Sequence, residues 1–379
     1  MSPGVRFGAE QGHPDGSGIR SVPGPVKKPS TAGSPGRAAE STTARAHTMA
    51  LRGIPLVLTH FGIPSEPILR SVNLRLADLD DPDHSASFAD LDRLFGLCLR
   101  RTKCGHFGLL VGQYIDLRSF GVAGRLARNA PSVGAALQEF AGFFTLHDSG
   151  GSLRVAIHEG RVTFGYDIHV PGVAHTDQIY DLAVAAIANV MRQLCGTGWR
   201  PNVVLLPRKR PADIRPYRQH FAAPLRFNSV IAAVVFPESH LSQAIADADP
   251  LLHRLLADNA EAAIAATDPK LHTKVRRTIR LLMDQQCSRG EVARRLGMHE
   301  RKLGRRLQAS GTTFQKLLDE TRLDMAQQLL RDTGVPVARV ATALGYGDPT
   351  IFTRAFARWT GRTPSRFRAE LTDGSRATY

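Results

Sequence analysis

One short pattern occurs twice in the last third of this chain, and it restricts the possible fold more than any other feature. The first copy reads Glu291-Val-Ala-Arg-Arg-Leu-Gly-Met-His-Glu-Arg-Lys-Leu-Gly-Arg-Arg-Leu307. The second reads Arg339-Val-Ala-Thr-Ala-Leu-Gly-Tyr-Gly-Asp-Pro-Thr-Ile-Phe-Thr-Arg-Ala-Phe356. Val292, Ala293, Leu296 and Gly297 match Val340, Ala341, Leu344 and Gly345 at a constant offset of 48. Beyond the glycine the offset is 49, so that Leu303 and Leu307 match Phe352 and Phe356. A single inserted residue in the turn accounts for the change. Two copies make a duplication, since a solenoid needs at least three.

Each copy reads as helix, tight turn, helix. Val337, Val340, Ala341 and Leu344 share one face at helical spacing. The glycine that follows suits a helix exit at positive φ, where a Cβ would be strained. Asp348 offers a carboxylate to the first free N–H groups of the next helix, and Pro349 fits its first turn. Phe352, Phe356 and Trp359 continue the buried face. Pointing outward on the second helices are Arg301, Lys302, Arg305 and Arg306 in copy one, and Thr350, Thr353, Arg354 and Arg358 in copy two. Arginine reads guanine edges and phosphates, and threonine reaches bases. These eight residues are therefore the candidate DNA contacts.

Residues Phe314 to Phe367 resemble the DNA-binding module of the AraC/XylS family of bacterial transcription regulators. The likeness is carried by Ile351-Phe-Thr-Arg-Ala-Phe-Ala-Arg-Trp-Thr-Gly-Arg-Thr-Pro-Ser-Arg-Phe-Arg368, with Thr321-Arg-Leu-Asp-Met-Ala-Gln-Gln-Leu-Leu330 and Val340-Ala-Thr-Ala-Leu-Gly-Tyr-Gly-Asp-Pro349 in support. The resemblance implies two helix-turn-helix units joined by one long helix, with two recognition helices in successive major grooves. Phe314 to about Leu330 is the expected joining helix, about 26 Å long at roughly 1.5 Å per residue. Copy one departs from the family pattern at His299, where a serine usually caps the helix, and at Gly304, inside the recognition helix. It is expected to be the softer reader.

The charge agrees with a polyanionic partner. The net charge is +15, and residues 268–379 hold 22 Lys and Arg against 11 Asp and Glu. The remainder holds 27 against 23, so the positive field belongs to the duplicated region. Cys98, Cys104, Cys195 and Cys287 lack metal-ligand spacing. They read as reduced structural thiols of a cytoplasmic, nucleoid-associated protein, with a Cys98/Cys104 redox pair as the alternative. No apolar run reaches 18 residues, so no membrane span is expected.

Residues 1–48 are rich in Gly, Pro, Ser, Ala and Arg and are expected to be a disordered tail, or to precede a true translation start at Met49. Residues 49–248 are expected to form one α+β domain, with helices set apart from a small antiparallel sheet. Ser87 to Leu99 should bury Phe88, Leu91, Phe95 and Leu99, and further helices are expected over 122–126 and 133–146, the latter capped by Ser132. Leu153, Val155 and Ile157 alternate with polar residues, Glu159-Gly160 makes a turn, and Val162, Phe164, Tyr166 and Ile168 alternate again, which is a hairpin. A strongly apolar helix over 177–194, a strand over 203–206, a helix over 213–221 and strands at 225–227 and 232–236 follow. Residues 249–269 read as a linker helix or dimer contact with a stripe of Leu251, Leu252, Leu255 and Leu256, ending near Thr267-Asp-Pro269. An all-α double helix-turn-helix domain occupies 270–372, and 373–379 form a tail.

The first domain resembles the regulatory domain of one AraC branch, labelled arabinose-binding-like, through Trp199-Arg-Pro, Pro211-Ala-Asp-Ile, Tyr217 to Phe221, Leu225-Arg-Phe-Asn and Ala232 to Leu241. The label does not imply arabinose, because the branch senses varied small molecules. Candidate effector contacts are His147, His175, Asp177 and Tyr180, in a wider set with Asp148, His158 and His169. The plainer reading makes them turn residues and helix caps. No cofactor, metal site or catalytic residue is expected, and G-x-S-x-G, H-E-x-x-H and a Gly-rich phosphate loop are absent. The expectation is a sequence-specific transcription regulator of double-stranded DNA, not an enzyme. A small-molecule effector, a second copy of the chain and, for an activator, RNA polymerase are its further partners. The alternatives are an N-terminal domain that only dimerises and an enzyme tethered to DNA.

Overall fold

The computed structural model describes residues 44–266, 270–283 and 287–376. The expected tail lies outside the described residues as far as residue 43, as do Thr267-Asp-Pro269 and residues 377–379. Order begins earlier than Met49. Arg45–His47 is a strand (β1) paired antiparallel with Ser85–Ser87 (β2). Ala46 is buried, and the Thr48 hydroxyl donates to the Asp78 carbonyl. The tail assignment is therefore corrected for residues 44–48. A three-residue strand has too little periodicity to show, and its partner lies forty residues away.

The N-terminal domain continues with helices α1 (Gly53–His60), α2 (Ser65–Arg70), α3 (Phe88–Thr102), α4 (Phe107–Gly112), α5 (Gly121–Arg128) and α6 (Val133–Phe143). Ser87 caps α3 by accepting from Asp90 N at 3.1 Å, and Ser132 caps α6 through Ala135 N at 3.2 Å. The buried face of α3 is Phe88, Leu91, Leu94, Phe95 and Cys98, with Leu99 only half-buried. Strands β3 (Gly151–His158) and β4 (Arg161–Ile168) form the expected hairpin. Its two-residue turn holds both Glu159 and Gly160 at positive φ (49° and 70°), the geometry that matches strand twist.

The long apolar helix α7 (Thr176–Cys195) packs directly on α4. Glycine makes that approach possible: a Cβ on Gly108 would stand 2.0 Å from the Gln178 carbonyl oxygen, and one on Gly112 2.5 Å from that of Leu182. Then come β5 (Val203–Leu205), α8 (Arg215–Phe221), β6 (Leu225–Arg226) and β7 (Ala232–Pro237). The sheet order is β3-β4-β7-β5-β6, antiparallel except for the β5–β6 edge, which runs parallel. Helix α9 (Pro250–Ala266) follows. Its expected leucine stripe is not covered, because the helix rests on α5 and buries Ala260 while Leu251, Leu252 and Leu255 stay exposed.

The C-terminal region is all helical: α10 (Leu271–Leu281), α11 (Arg289–Arg295), α12 (Glu300–Ala309), α13 (Phe314–Asp332), α14 (Val337–Ala343), α15 (Pro349–Thr360) and α16 (Pro364–Arg376). Helix α16 thus runs past residue 372, where a tail was expected. Two separate cores result. One gathers Val292, Ala293, Leu303 and Leu307 with α10, and the other gathers Val340, Ala341, Leu344, Phe352 and Phe356. Helix α13 supplies Leu317 and Leu318 to the first and Ala326, Leu329 and Leu330 to the second, so it joins two small units that do not share a core.

Candidate functional site

The two copies fold alike down to single hydrogen bonds. Gly297 and Gly345 leave α11 and α14 at φ 63° and 74°. Met298 N donates to Ala293 O at 2.9 Å, and Tyr346 N donates to Ala341 O at 3.0 Å. At the next helix they differ. Asp348 accepts from Thr350 N at 2.7 Å, whereas His299 makes no side-chain cap. This missing cap, with Gly304 inside α12 costing roughly 1 kcal/mol against alanine, leaves the first unit with the weaker second helix.

The outward faces are as polar as their residues suggest. Arg301, Lys302, Arg305, Arg306, Thr350, Arg354 and Arg358 are exposed. Thr353 is half-buried, and its hydroxyl donates back to Pro349 O at 2.9 Å. Arg358 lies 3.6 Å from Asp319 of α13, a wide surface pair that leaves it available. On α12 the cations divide between two grooves. Lys302 and Arg306 face a groove with Lys270, at the N-cap of α10, and Lys274 of α10, and Arg301 and Arg305 face one with Arg289. Lys270 and Lys274 carry no sequence signal of their own, and only the packing of α10 beside α12 brings them to this surface.

A second feature lies inside the N-terminal domain. A cavity of about 70 Å³ is walled by α3, α6, α7, β3 and β4 and closed by the segment from Ala46 to Leu51. Its walls are apolar except at one end, where His47, His147, Asp148 and Tyr166 meet. Asp148 Oδ1 accepts from Gly150 N and Gly151 N, both at 2.8 Å, and Oδ2 accepts the Tyr166 hydroxyl at 2.7 Å. The His147 ring lies among Phe120, Phe144 and His47 with centroids 4.9, 5.9 and 5.0 Å away.

Of the four candidate effector residues, only His147 lines this cavity. His175 precedes α7 and holds Asp92 at 2.9 Å through Nδ1. That bond raises the His175 pKa above its ordinary value, although burial opposes it. Asp177 accepts from Gln178 Nε2 at 2.8 Å and lies 3.5 Å from Arg208. Tyr180 is buried at the boundary with the C-terminal helices, its hydroxyl accepting from Ile168 N at 3.4 Å and bonded to Gln328 of α13. His175, Asp177 and Tyr180 therefore lie off this cavity, with their polar atoms bonded within the fold. Asp148, Tyr166 and His47 line it beside His147. His158, from the wider set, is exposed on β3.

The cavity end also sets a pH dependence. Burial pushes the Asp148 carboxyl up to about 6, against its hydrogen bonds from Tyr166, Gly150 and Gly151. Burial drives His147 down to about 3, and His47 adds to the shift. A raised carboxyl favours folding fully below its unfolded value and loses that contribution as pH rises through about 6. A depressed histidine contributes above its unfolded value and loses the contribution as pH falls toward about 3. The two oppose each other between them. Asp148→Asn removes only the first. Its stability relative to the parent should rise by about 2.4 kcal/mol between pH 4 and pH 7, in urea titrations at each pH. A gap that stays flat across that window would sink the assignment.

The N-terminal domain grips the C-terminal helices at the end of α13. Thr176, the first residue of α7, donates to Asp332, whose side chain is 7% exposed. Arg331 donates to Val173 O at 2.9 Å and to Thr176 Oγ1 at 3.1 Å. Lys209 N donates to Asp332 O at 2.8 Å, and Gly334 N to Asn228 Oδ1 at 2.6 Å. At the other contact, Arg277 of α10 is close enough to Asp148 for each to bias the other's ionisation. Neither contact has a sequence signal, because every partner is more than a hundred residues from the other.

Residues 62–245 match the family described as the arabinose-binding domain of AraC transcription regulator, N-terminal, and residues 292–370 match a helix-turn-helix domain family. The chain is 27% identical over 322 residues to the HTH-type transcriptional regulator VirS of Mycobacterium tuberculosis, covering 84% of this chain and 95% of that one. It is 26% identical over 316 residues to the ornithine utilization regulator of Pseudomonas aeruginosa, covering 82% and 93%. Among solved structures, the transcriptional regulator CdpR from Pseudomonas aeruginosa aligns over 85% of this chain and 98% of its own, with 25% identity and a TM-score of 0.43. No helix among the described residues is long and apolar enough to cross a membrane.

Proposed function

Because the chain belongs to the AraC family of helix-turn-helix transcription regulators, in the branch with an arabinose-binding-like N-terminal domain, its partner is DNA; we propose that it reads two successive major grooves with α12 and α15, under the control of an effector held in the N-terminal domain. One observation carries the control. Helix α7 presents Ile179, Leu182, Ala183, Ala186, Ile187 and Val190 to the cavity, and its first residue, Thr176, holds Asp332 at the end of α13. A displacement of α7 therefore acts directly on the helix that spaces the two readers. Asp148 beside Arg277 offers a second route, into the first unit.

Two readers on one rigid helix favour a bipartite operator. At roughly 1.5 Å per residue, the 19 residues of α13 span about 28 Å, which suits half-sites about one duplex turn apart. Selection from a random duplex library is expected to return two half-sites at that spacing, and a single undivided motif would overturn the two-groove reading. Arg354→Ala is expected to weaken specific binding by about 1–3 kcal/mol and relax selectivity at one base position. Uniform weakening at all positions would make Arg354 a phosphate contact instead. For the control, Thr176→Val is expected to change operator affinity at least threefold although Thr176 lies on the N-terminal domain; unchanged affinity would refute it. The exposed Leu251, Leu252 and Leu255 favour a second reading, in which the N-terminal domain only dimerises. Sedimentation of the full chain with Leu251→Glu distinguishes it.

A further inference from the structure

We propose that the cavity of the N-terminal domain binds a slim, uncharged, mostly apolar molecule with a single hydrogen-bonding end, and not a sugar. This names the ligand class for the effector-responsive reading above, and rests on it only for the ligand's biological role.

The chemistry of the walls excludes the alternatives in turn. Arabinose carries a hydroxyl on nearly every carbon, and each one buried without a partner costs roughly 1–3 kcal/mol. Here polar groups stand at one end only, and most of their capacity is used. Asp148 already accepts three hydrogen bonds, and the Tyr166 hydroxyl is committed to it. The other walls are aromatic and aliphatic carbon, including Phe88, Phe95, Phe120 and Phe140. A sugar placed there would leave most of its hydroxyls unmet.

Charge is excluded by the same inventory. No Lys or Arg lines the cavity, and Arg277 already faces Asp148, so a carboxylate or phosphate would enter low-dielectric space beside an acidic group and without a counter-ion of its own. Neutral imidazole offers one donor and one acceptor, so His147 at the polar end suits a ligand hydroxyl or carbonyl. The shape agrees. Ala183 and Ala186 on α7, with Ala46 and Ala50 on the closing segment, place methyl groups where larger side chains would fill the space. The closing segment is held by main-chain pairing, His47 N to His147 O at 2.9 Å and a bridge between Ala46 and Asp148. It is thin enough to serve as the door.

The test is thermal unfolding of the full chain with 1-octanol, sodium octanoate or L-arabinose, without DNA. Octanol is expected to raise the midpoint by several degrees in a saturable way. Octanoate at pH 7.5 should act at least tenfold more weakly, and arabinose should have no effect. Ala186→Leu and, from the opposite wall, Ala50→Leu should each weaken octanol binding at least tenfold; two variants guard against one that fails to fold. An arabinose shift equal to that of octanol would overturn the proposal, as would no octanol shift at all. Octanol binding that survives in both filled variants would overturn it too, by placing the alcohol elsewhere. Saturable, fill-sensitive octanol binding that leaves operator affinity unchanged would uphold the site and overturn the effector-responsive reading instead.

Discussion

Phe352→Ala is expected to unfold the second helix-turn-helix unit and abolish operator binding, while the N-terminal domain keeps its fold. Phe352 is fully buried in a core of only nine buried residues. Its ring meets Tyr346 at 5.6 Å and Phe356 at 5.8 Å, and the N-terminal domain adds a half-buried Val230 to the edge of this core. Truncating such a phenylalanine costs about 3–5 kcal/mol, against a total stability of roughly 5–15 kcal/mol for a whole domain. A unit this small has little reserve. Calorimetry should resolve a low-temperature transition absent from the parent, and anisotropy titrations should lose specific binding. A variant with one undivided transition and parental affinity would show that the second unit draws its stability from the N-terminal domain through Asp332 rather than from its own core.

Arg208→Ala is expected to destabilise the N-terminal domain by about 3–5 kcal/mol, more than the loss of a surface charge would suggest. The Arg208 side chain is 11% exposed and that of Asp181 1%. Arg208 Nη1 donates to Asp181 and, at 2.8 Å, to the Tyr217 hydroxyl, while Nη2 donates to Gly105 O at 2.9 Å. Removing the guanidinium strands Asp181 in the interior, where an unpaired charge is costly. Lysine cannot replace a forked donor that serves three acceptors at once, so Arg208→Lys should recover only part of the loss. Arg208→Ala combined with Asp181→Leu should be more stable than Arg208→Ala alone, because no charge is left stranded; urea titrations of the four proteins form the cycle. If the double variant is no better than the single, the cost lies in lost packing and not in the orphaned carboxylate. Asn228 N donates to Arg208 O at 2.8 Å, and Lys209 N holds Asp332. Arg208→Ala should therefore also shift operator affinity, a readout that links this buried pair to the grip on α13.

The duplicated region was open to sequence reading because its determinants are local. A helix face repeats every three or four residues, a glycine marks the exit, and an aspartate and proline mark the next entry. Each acts within a few residues of its own position, so Gly345, Asp348 and Phe352 announce their roles in the string. The β3–β4 hairpin is legible for the same reason, since Glu159-Gly160 and the alternation around it are contiguous. His175-Thr-Asp177 misleads for the converse reason. Three polar residues in a row look like a site, but Asp92 and Arg208 claim two of them across 83 and 31 positions, and Thr176 is taken by Asp332 from 156 away.

What the sequence determined by itself is therefore the kind of protein: two helix-turn-helix units on a joining helix, a basic surface made for DNA, and an α+β domain before them. Short-range periodicity, capping and charge suffice for that. Only the tertiary structure decided where the cavity lies, which end of it is polar, and that α7 touches both that cavity and the helix between the two helix-turn-helix units. Those facts depend on contacts between residues as distant as Ala46 and Asp148, or Thr176 and Asp332. Such contacts exist only once packing has closed the intervening loops, and no local pattern encodes them.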